Sequence, residues 1–131
     1  MNAQISMITL GVKDLERAKQ FYGEGLGCPI QRDEGGFVSF DLGEGSSALA
    51  LYTRDALAED AGVPSDGSGF RSVTLNYIVP SPERVDEVLA AATSAGGELV
   101  RTGQSAQWGG YFGYFADPDG HLWKVAAPPP A

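Results

Sequence analysis

The sequence predicts an α+β fold made of two tandem βαβββ modules. A strand, a helix and three further strands follow one another, and the same succession then begins again. Val12 and Val79, each at the end of the first strand of its module, lie 67 residues apart. At this offset the helix residues Glu16-Arg17 coincide with Glu83-Arg84. A repeat of this kind predicts duplicated units that pack as a pair, because neither could bury its apolar surface alone.

Module one spans about residues 4–54. In its first strand, Gln4–Val12, apolar side chains alternate with small or polar ones, which is the period of two expected when the faces of a sheet differ. Asp14 is a suitable N-cap for the following helix, which ends at the glycines from Gly23 onward. Three short strands are predicted after this helix, at Pro29–Arg32, Gly36–Asp41 and Ser47–Thr53.

Module two spans about residues 71–127. Its first strand is predicted at Ser72–Val79, and Ser81 caps a helix whose first position is Pro82. The three later strands are predicted at Glu98–Thr102, Gly110–Ala116 and His121–Ala126.

The connector between the modules covers about residues 55–70, with one or two helical turns predicted at residues 55–61. A proline-rich tail, residues 128–131, cannot pair in a sheet and is expected to be frayed. We therefore expect a single domain over residues 1–131.

A hairpin closes module two. Its turn is Asp117-Pro118-Asp119-Gly120, in which proline and glycine supply turn dihedrals and the aspartates can close Asx-type turns. Pairing across this turn is predicted to place Phe115 opposite Leu122 and Gly113 opposite Lys124. The residues expected to share the face of Lys124 are then Tyr111, Gly113 and Phe115.

Composition limits the classes of function. Hydrophobic residues make up 43% of the chain, and no apolar run approaches the length that spans a bilayer. The single cysteine, Cys28, excludes an intrachain disulfide, and the N-terminus lacks the features of a signal peptide, so we expect a cytoplasmic protein. The net charge is −8, and no cluster of Lys and Arg offsets it. Binding to nucleic acid or to a membrane is therefore not expected.

Two segments carry a resemblance to a known family. The opening segment ITLGVKDLERAKQFYGEGLG and the closing segment GYFADPDGHLWKVA, together with the paired modules, resemble the vicinal oxygen chelate superfamily. This is the fold of glyoxalase I, bleomycin-resistance proteins and extradiol dioxygenases, and the resemblance runs from about Ser6 to Ala126. It implies curled mixed sheets that enclose a cleft, helices on the convex side, and a homodimer.

The resemblance also implies where a divalent metal ion would bind. Its four ligand positions fall on Met7, Thr74, Lys124 and Leu51. Leu49 takes the place of Leu51 if the register slips by two. Only methionine among these can donate to a metal, and a thioether suits neither hard nor borderline ions. An ammonium group would repel a cation. We therefore expect no metal and no cofactor, and no metal-dependent glyoxalase or dioxygenase activity.

The predicted ligand-binding residues follow from strand parity and from the aromatic cluster before the last hairpin. Lys124 either binds a carboxylate, phosphate or enolate of the ligand, or it pairs with an acidic side chain or extends its ammonium group to the mouth of the cleft. Cys28 is interpreted as a packing residue, and His121, the only histidine, as a surface or packing residue next to the turn. Tyr114 is expected beneath the helices with Trp123. The predicted site consists of Thr9, Phe40, Leu51, Asn76, Trp108, Tyr111, Phe115 and Lys124.

Three functions are compatible with this site. The first is a metal-independent protein of the glyoxalase and bleomycin-resistance type that binds a small, partly aromatic ligand in an aromatic-lined cleft. The second is a metal-independent enzyme of the lyase or isomerase type, which acts on a carbonyl substrate and uses Lys124 together with Tyr111 or Asn76. The third is an accessory subunit with a vestigial cleft. The sequence favours a binding protein over an enzyme and does not identify the ligand.

Overall fold

A computed structural model describes residues 4–67 and 69–130, and these fall into two compact units that divide after Gly67. Each unit contains one four-stranded mixed sheet, which confirms the predicted pair of βαβββ modules. Ser68 of the predicted connector, Ala131 of the predicted tail and residues 1–3 lie outside the described ranges. Within those ranges, no helix is long and apolar enough to cross a membrane.

The first unit follows the predicted order of elements. Its sheet has the strand order β1-β4-β3-β2, in which β1 and β4 are parallel and the other pairs antiparallel. The Asp14 carboxylate accepts a hydrogen bond from the backbone N–H of Arg17 at 3.1 Å, which confirms the predicted N-cap. The elements are β1 Met7–Val12, α1 Leu15–Gln20 continued by a π-helical turn at Phe21–Gly25, β2 Ile30–Glu34, β3 Phe37–Phe40, β4 Ala48–Thr53 and α2 Arg54–Ala61.

The second unit repeats this topology with the strand order β5-β8-β7-β6. The Ser81 hydroxyl accepts a hydrogen bond from the Arg84 backbone N–H at 3.2 Å, and Pro82 occupies the first turn of the helix, as predicted. The elements are β5 Thr74–Ile78, α3 Pro82–Ser94, β6 Glu98–Ser105, β7 Tyr111–Ala116 and β8 Leu122–Ala127.

The strand registers match the 67-residue repeat. They also correct the predicted first-unit counterpart of Lys124. In the parallel pair of the first unit, Thr9 lies beside Ala50. In the parallel pair of the second unit, Asn76 lies beside Lys124. Because Thr9 and Asn76 are equivalent in the repeat, the counterpart of Lys124 is Ala50. The predicted counterpart, Leu51 or Leu49, is wrong by one position.

Phe40 and Leu51 lie on the face of the first sheet that packs against α1, and not on the opposite face. The Phe40 ring lies 6.1 Å from the ring of Tyr22, and Leu49, which pairs with Phe40, is two residues from Leu51 along β4. All four side chains are buried, with exposed fractions of at most 1%. The prediction that Phe40 and Leu51 line a cleft is therefore wrong. It failed because β3 and β4 are buried on both faces and show no alternation from which parity could be read.

The last hairpin confirms the predicted turn but shifts the predicted pairing. The Asp117 carboxylate accepts hydrogen bonds from the backbone N–H groups of Asp119 and His121, each at 2.9 Å. His121 is thereby held within the turn, and the first pair of the ladder is Ala116 with Leu122. The register differs by one residue from the prediction, and a shift of one residue exchanges the faces of a strand.

Candidate ligand-binding site

The corrected register places Lys124 on the face of the second sheet that points away from α3. Lys124 lies opposite Tyr114 in the β7–β8 ladder. Its Nζ atom lies 5.0 Å from the ring centroid of Phe112 and 5.8 Å from that of Trp108. At these distances an ammonium group is attracted electrostatically by the ring faces. A lysine held between two aromatic rings is the centre of the candidate site.

The face toward α3 carries the residues that the sequence placed beside Lys124. Phe115 pairs with Trp123, and their rings stack at 5.8 Å with an interplanar angle of 6°. A Cβ atom on Gly113 would lie 2.5 Å from Cδ1 of Leu89 in α3. The predicted placement of Phe115 and Gly113 on the face of Lys124 is therefore wrong. Gly113 makes room for α3 rather than for a ligand, and Trp123 packs with Phe115 rather than with Tyr114.

Tyr111 also lies on the α3 side. Its hydroxyl donates to the Asp86 carboxylate, at 2.9 Å to Oδ1 and 3.2 Å to Oδ2. This hydrogen bond raises the pKa of Tyr111. Because a Cβ on Gly103 would lie 2.4 Å from both the Tyr111 hydroxyl and Asp86 Oδ1, the contact requires glycine at that position. The predicted pairing of Tyr111 with Lys124 is not formed.

A groove of about 430 Å³ runs between α3 and β6 on this same side. It is open and mostly apolar, and Asp86 lies at its edge. The lining residues are Asp86, Leu89, Ala90, Thr93, Ser94, Leu99, Thr102 and Gly103.

Arg101 is a member of the site that the sequence did not indicate. Its guanidinium carbon lies 5.5 Å from the ring centroid of Phe112, the same ring that Lys124 contacts. With the Gln104 amide oriented to suit its hydrogen bonds, its oxygen accepts from Arg101 Nε at 2.8 Å and from Nη2 at 3.0 Å. Register irregularities on both sides of Arg101 put residues 101 and 104 on one face. A regular strand would put them on opposite faces, so no signal in the sequence predicted this pair.

We call the group Arg101, Trp108, Phe112 and Lys124 the cationic aromatic face. Trp108 is 50% exposed, and its indole lies against Gly110, where a Cβ would be 1.8 Å from Cζ3. Asn76 flanks Lys124 on β5, and its amide makes no hydrogen bond to another of the described residues. Trp108, Asn76 and Lys124 are thus brought together as the sequence predicted, while Thr9 lies in the first unit beside Ala50.

The two cations of this face lack ionic partners in their own unit. Among residues 69–130, no carboxylate lies within ion-pair distance of Arg101 or Lys124, whereas Arg84 on α3 pairs with Glu87 at 3.7 Å. The predicted alternative, in which Lys124 pairs with an acidic side chain, is not formed within the described part of this unit. Both positive charges remain available to a ligand.

Cys28 is a partly buried free cysteine. Burial raises the pKa of its thiol, so the thiolate is disfavoured at neutral pH. This agrees with its interpretation as a packing residue.

Paired βαβββ units, each built on a four-stranded mixed sheet, define the fold class of this chain. A family model described as the Glyoxalase/Bleomycin resistance protein/Dioxygenase superfamily matches residues 4–125, so the chain belongs to that superfamily. Since this covers most of the chain, the family is established and the resemblance seen in the sequence is confirmed. No match was found among curated proteins.

Solved structures with the same fold include several from bacteria. A glyoxalase-related enzyme from Fulvimarina pelagi is 35% identical, with a TM-score of 0.86 over 95% of this chain and 87% of that one. A glyoxalase/bleomycin resistance protein/dioxygenase from Nocardioides is 25% identical, with a TM-score of 0.82 over 98% and 85% of the two chains. A family enzyme from Burkholderia phytofirmans PsJN, 22% identical with a TM-score of 0.82 over 95% and 98%, shows the fold alone.

The donor set does not fit the metal ion that this superfamily implies. With the corrected register, the four ligand positions carry Met7, Ala50, Thr74 and Lys124. These offer a thioether, a methyl group, a hydroxyl and an ammonium group, of which none is a carboxylate or imidazole. Across residues 4–67 and 69–130, no group of three or more His, Cys, Asp or Glu side chains is placed to hold a metal.

Proposed function

We propose that this protein binds a small, partly aromatic molecule on the cationic aromatic face and that binding requires no metal ion. The observation that carries the proposal is the position of Lys124. It occupies a site where family enzymes place a metal ligand, and its ammonium group lies between the rings of Phe112 and Trp108. An ammonium group there both repels a cation and supplies a positive charge of its own.

The aromatic character of the ligand follows from the lining of the face. Trp108 presents half of its surface to solvent, and Phe112 and Tyr114 contact each other edge to face at 6.1 Å. Rigid aromatic walls with a few polar groups are typical of small-molecule sites. A planar ligand can therefore stack on Trp108 while Asn76 and Lys124 orient its polar atoms.

A titration by calorimetry tests this proposal. Aromatic probes such as 2-naphthamide should bind with the same affinity before and after treatment with EDTA. Trp108→Ala should weaken binding about 10-fold, because stacking on one ring contributes about 1–1.5 kcal/mol. Phe70→Ala is a matched control, since Phe70 is 67% exposed and lies outside the face. Loss of binding on EDTA treatment, or equal effects of both variants, would contradict the proposal.

A metal-independent enzyme is the second candidate, and it is favoured by the ammonium group of Lys124, which has no carboxylate partner among residues 69–130. On its own sheet face Asn76 and Tyr114 stand in register with Lys124, whereas Tyr111 is engaged by Asp86 on the other face. Lys124 would stabilise an enolate formed from a carbonyl substrate. Turnover that persists in EDTA and is lost in Lys124→Met would support this activity, and turnover that is unchanged in that variant would exclude it.

We further propose that the protein is a homodimer, as the family resemblance implies, and that it acts in the cytoplasm, as its single cysteine suggests. Light scattering of the purified protein measures the oligomeric state directly. A monomer at micromolar concentration would contradict the dimer and would leave the binding proposal unaffected.

A further inference from the structure

We propose that the ligand carries a carboxylate beside its aromatic ring and that Arg101 and Lys124 hold this carboxylate together. The inference rests on the proposed function and specifies the chemistry of its ligand. Arg101 and Lys124 stand on the two strands that flank β7, each in register with Tyr114, and their cationic groups lie 5.5 Å and 5.0 Å from the Phe112 centroid. Both charges thus gather around one ring on one sheet face, where a carboxylate of the ligand would meet them.

The way Arg101 is held supports recognition of an anion. The chain has 17 acidic residues against nine Lys and Arg, yet the acceptor beside Arg101 is the neutral amide of Gln104. Several cations elsewhere pair with carboxylates, as Arg32 does with Glu34 at 2.9 Å and Arg84 with Glu87 at 3.7 Å. A neutral acceptor fixes the guanidinium and leaves its charge uncompensated. Gln104 is therefore a positioning residue.

The hydrogen bonds to Gln104 also leave some N–H groups of Arg101 free to bind a carboxylate. A guanidinium has five N–H groups, and Gln104 accepts from those on Nε and on one side of Nη2. The remaining edge, formed by Nη1 and the other side of Nη2, is the one that a carboxylate meets with two parallel hydrogen bonds. Lys124 adds a point charge from the other strand. The ring of the ligand then stacks on Trp108.

The same charges argue against a polyanion. The net charge of −8 repels a nucleic acid or a membrane surface, whereas a single carboxylate on an apolar ring experiences mainly the two local cations. An aromatic carboxylate therefore fits this face better than a phosphate polymer or an anionic lipid surface.

Two probes of the same shape test the inference. 2-Naphthoate and 2-naphthamide differ by one charge. Calorimetry at low salt should show that naphthoate binds at least about 10-fold more tightly than naphthamide, and this preference should decrease at high salt. Gln104→Glu is the decisive variant. It keeps an acceptor for Arg101 but neutralises the guanidinium, so it should weaken naphthoate about 10-fold and naphthamide less than about 2-fold.

Gln20→Glu, an exposed site in the first unit, makes the same change in net charge and should leave both affinities unaltered. Arg101→Met and Lys124→Met should each remove most of the preference for naphthoate. Equal affinities of the two probes in the unmodified protein would overturn the carboxylate inference and leave the proposed function intact. Failure of both probes to bind would contradict the proposed function as well.

Discussion

The two units share one topology but differ on the sheet face that points away from the helix. In the first unit, Ala50 and Ser39 occupy this face, and both are completely buried. At the equivalent positions of the second unit stand Lys124 and Tyr114, which are partly exposed. At these two positions, therefore, the second copy of the repeat carries a cation and a phenol where the first copy carries small side chains.

This difference shows that fold and chemistry are separable within a single chain. The repeat preserves what the sheets need, namely strand order, register and helix caps, because these determine whether each module buries its core. The side chains on the face opposite the helix are not constrained by packing against the helix and can diverge. Exchanging residues between the two units is therefore the most direct way to test the comparison.

The largest effect is expected when the cation of the second unit is placed in the first. Ala50→Lys introduces an ammonium group at a site with 0% exposure and should lower the free energy of unfolding by about 3–5 kcal/mol. The reciprocal change, Lys124→Ala, removes two cation–ring contacts from a partly exposed site and should cost about 1 kcal/mol. Urea denaturation measures both values. Equal costs would mean that the two faces are alike in environment.

A smaller effect is expected from the packing of α3 on β7. The first unit has Val38 where the second has Gly113, and a Cβ on Gly113 would lie 2.5 Å from Leu89 Cδ1 and 2.9 Å from the Arg101 carbonyl oxygen. Gly113→Ala should therefore cost about 1–3 kcal/mol in thermal or urea unfolding.

Gly23→Ala is the matched control, because the nearest atom to its Cβ would be Phe40 Cε1 at 3.7 Å. This distance is an ordinary contact, so stability should be unchanged or slightly higher. If Gly113→Ala left the stability unchanged, α3 would leave as much space beside residue 113 as the first unit leaves beside Gly23.

The smallest effect on stability is expected from the hydrogen bond between Tyr111 and Asp86, on the α3 side of the second sheet. The hydrogen bond to Asp86 raises the pKa of Tyr111, so this contact contributes stability at neutral pH that is lost as the pH rises through that pKa. Titration followed by NMR of labelled tyrosine should place Tyr111 above the ordinary range, and Asp86→Asn should lower its pKa. Glu87→Gln, the adjacent helix residue, is the control. A larger response to Lys124→Met would place Tyr111 on the other face.

The sequence predicted the fold well because caps and turns act locally. Asp14, Ser81 and the turn at Asp117 each form the hydrogen bonds that their residue types indicate. The 67-residue repeat then supplied the order of the strands. These features depend on a few neighbouring residues, and a single sequence records them directly.

The prediction of which strand face each side chain occupies was less accurate, because an error of one residue in the register moves every side chain to the other face. His121 was assigned to a strand, but the Asp117 carboxylate holds it in the turn, and Phe115 therefore changed faces. In the first unit, Val38, Ser39 and Phe40 are all buried, so their order contains no alternation. Arg101 joined the site through a bulge. Each of these errors involves geometry that alternation alone does not encode.

The contact between Trp108 and Gly110 has a consequence for the energetics of recognition. A side chain that must be immobilised on binding opposes association by about 0.5–1.5 kcal/mol of lost rotamer freedom. The indole of Trp108 already rests on the backbone at Gly110, with no side chain beneath it, and is flanked by the ammonium group of Lys124. The half of the ring that faces solvent is thus a preorganised platform. Its complexes should have a smaller unfavourable conformational entropy than those of a protein whose binding tryptophan is free to rotate.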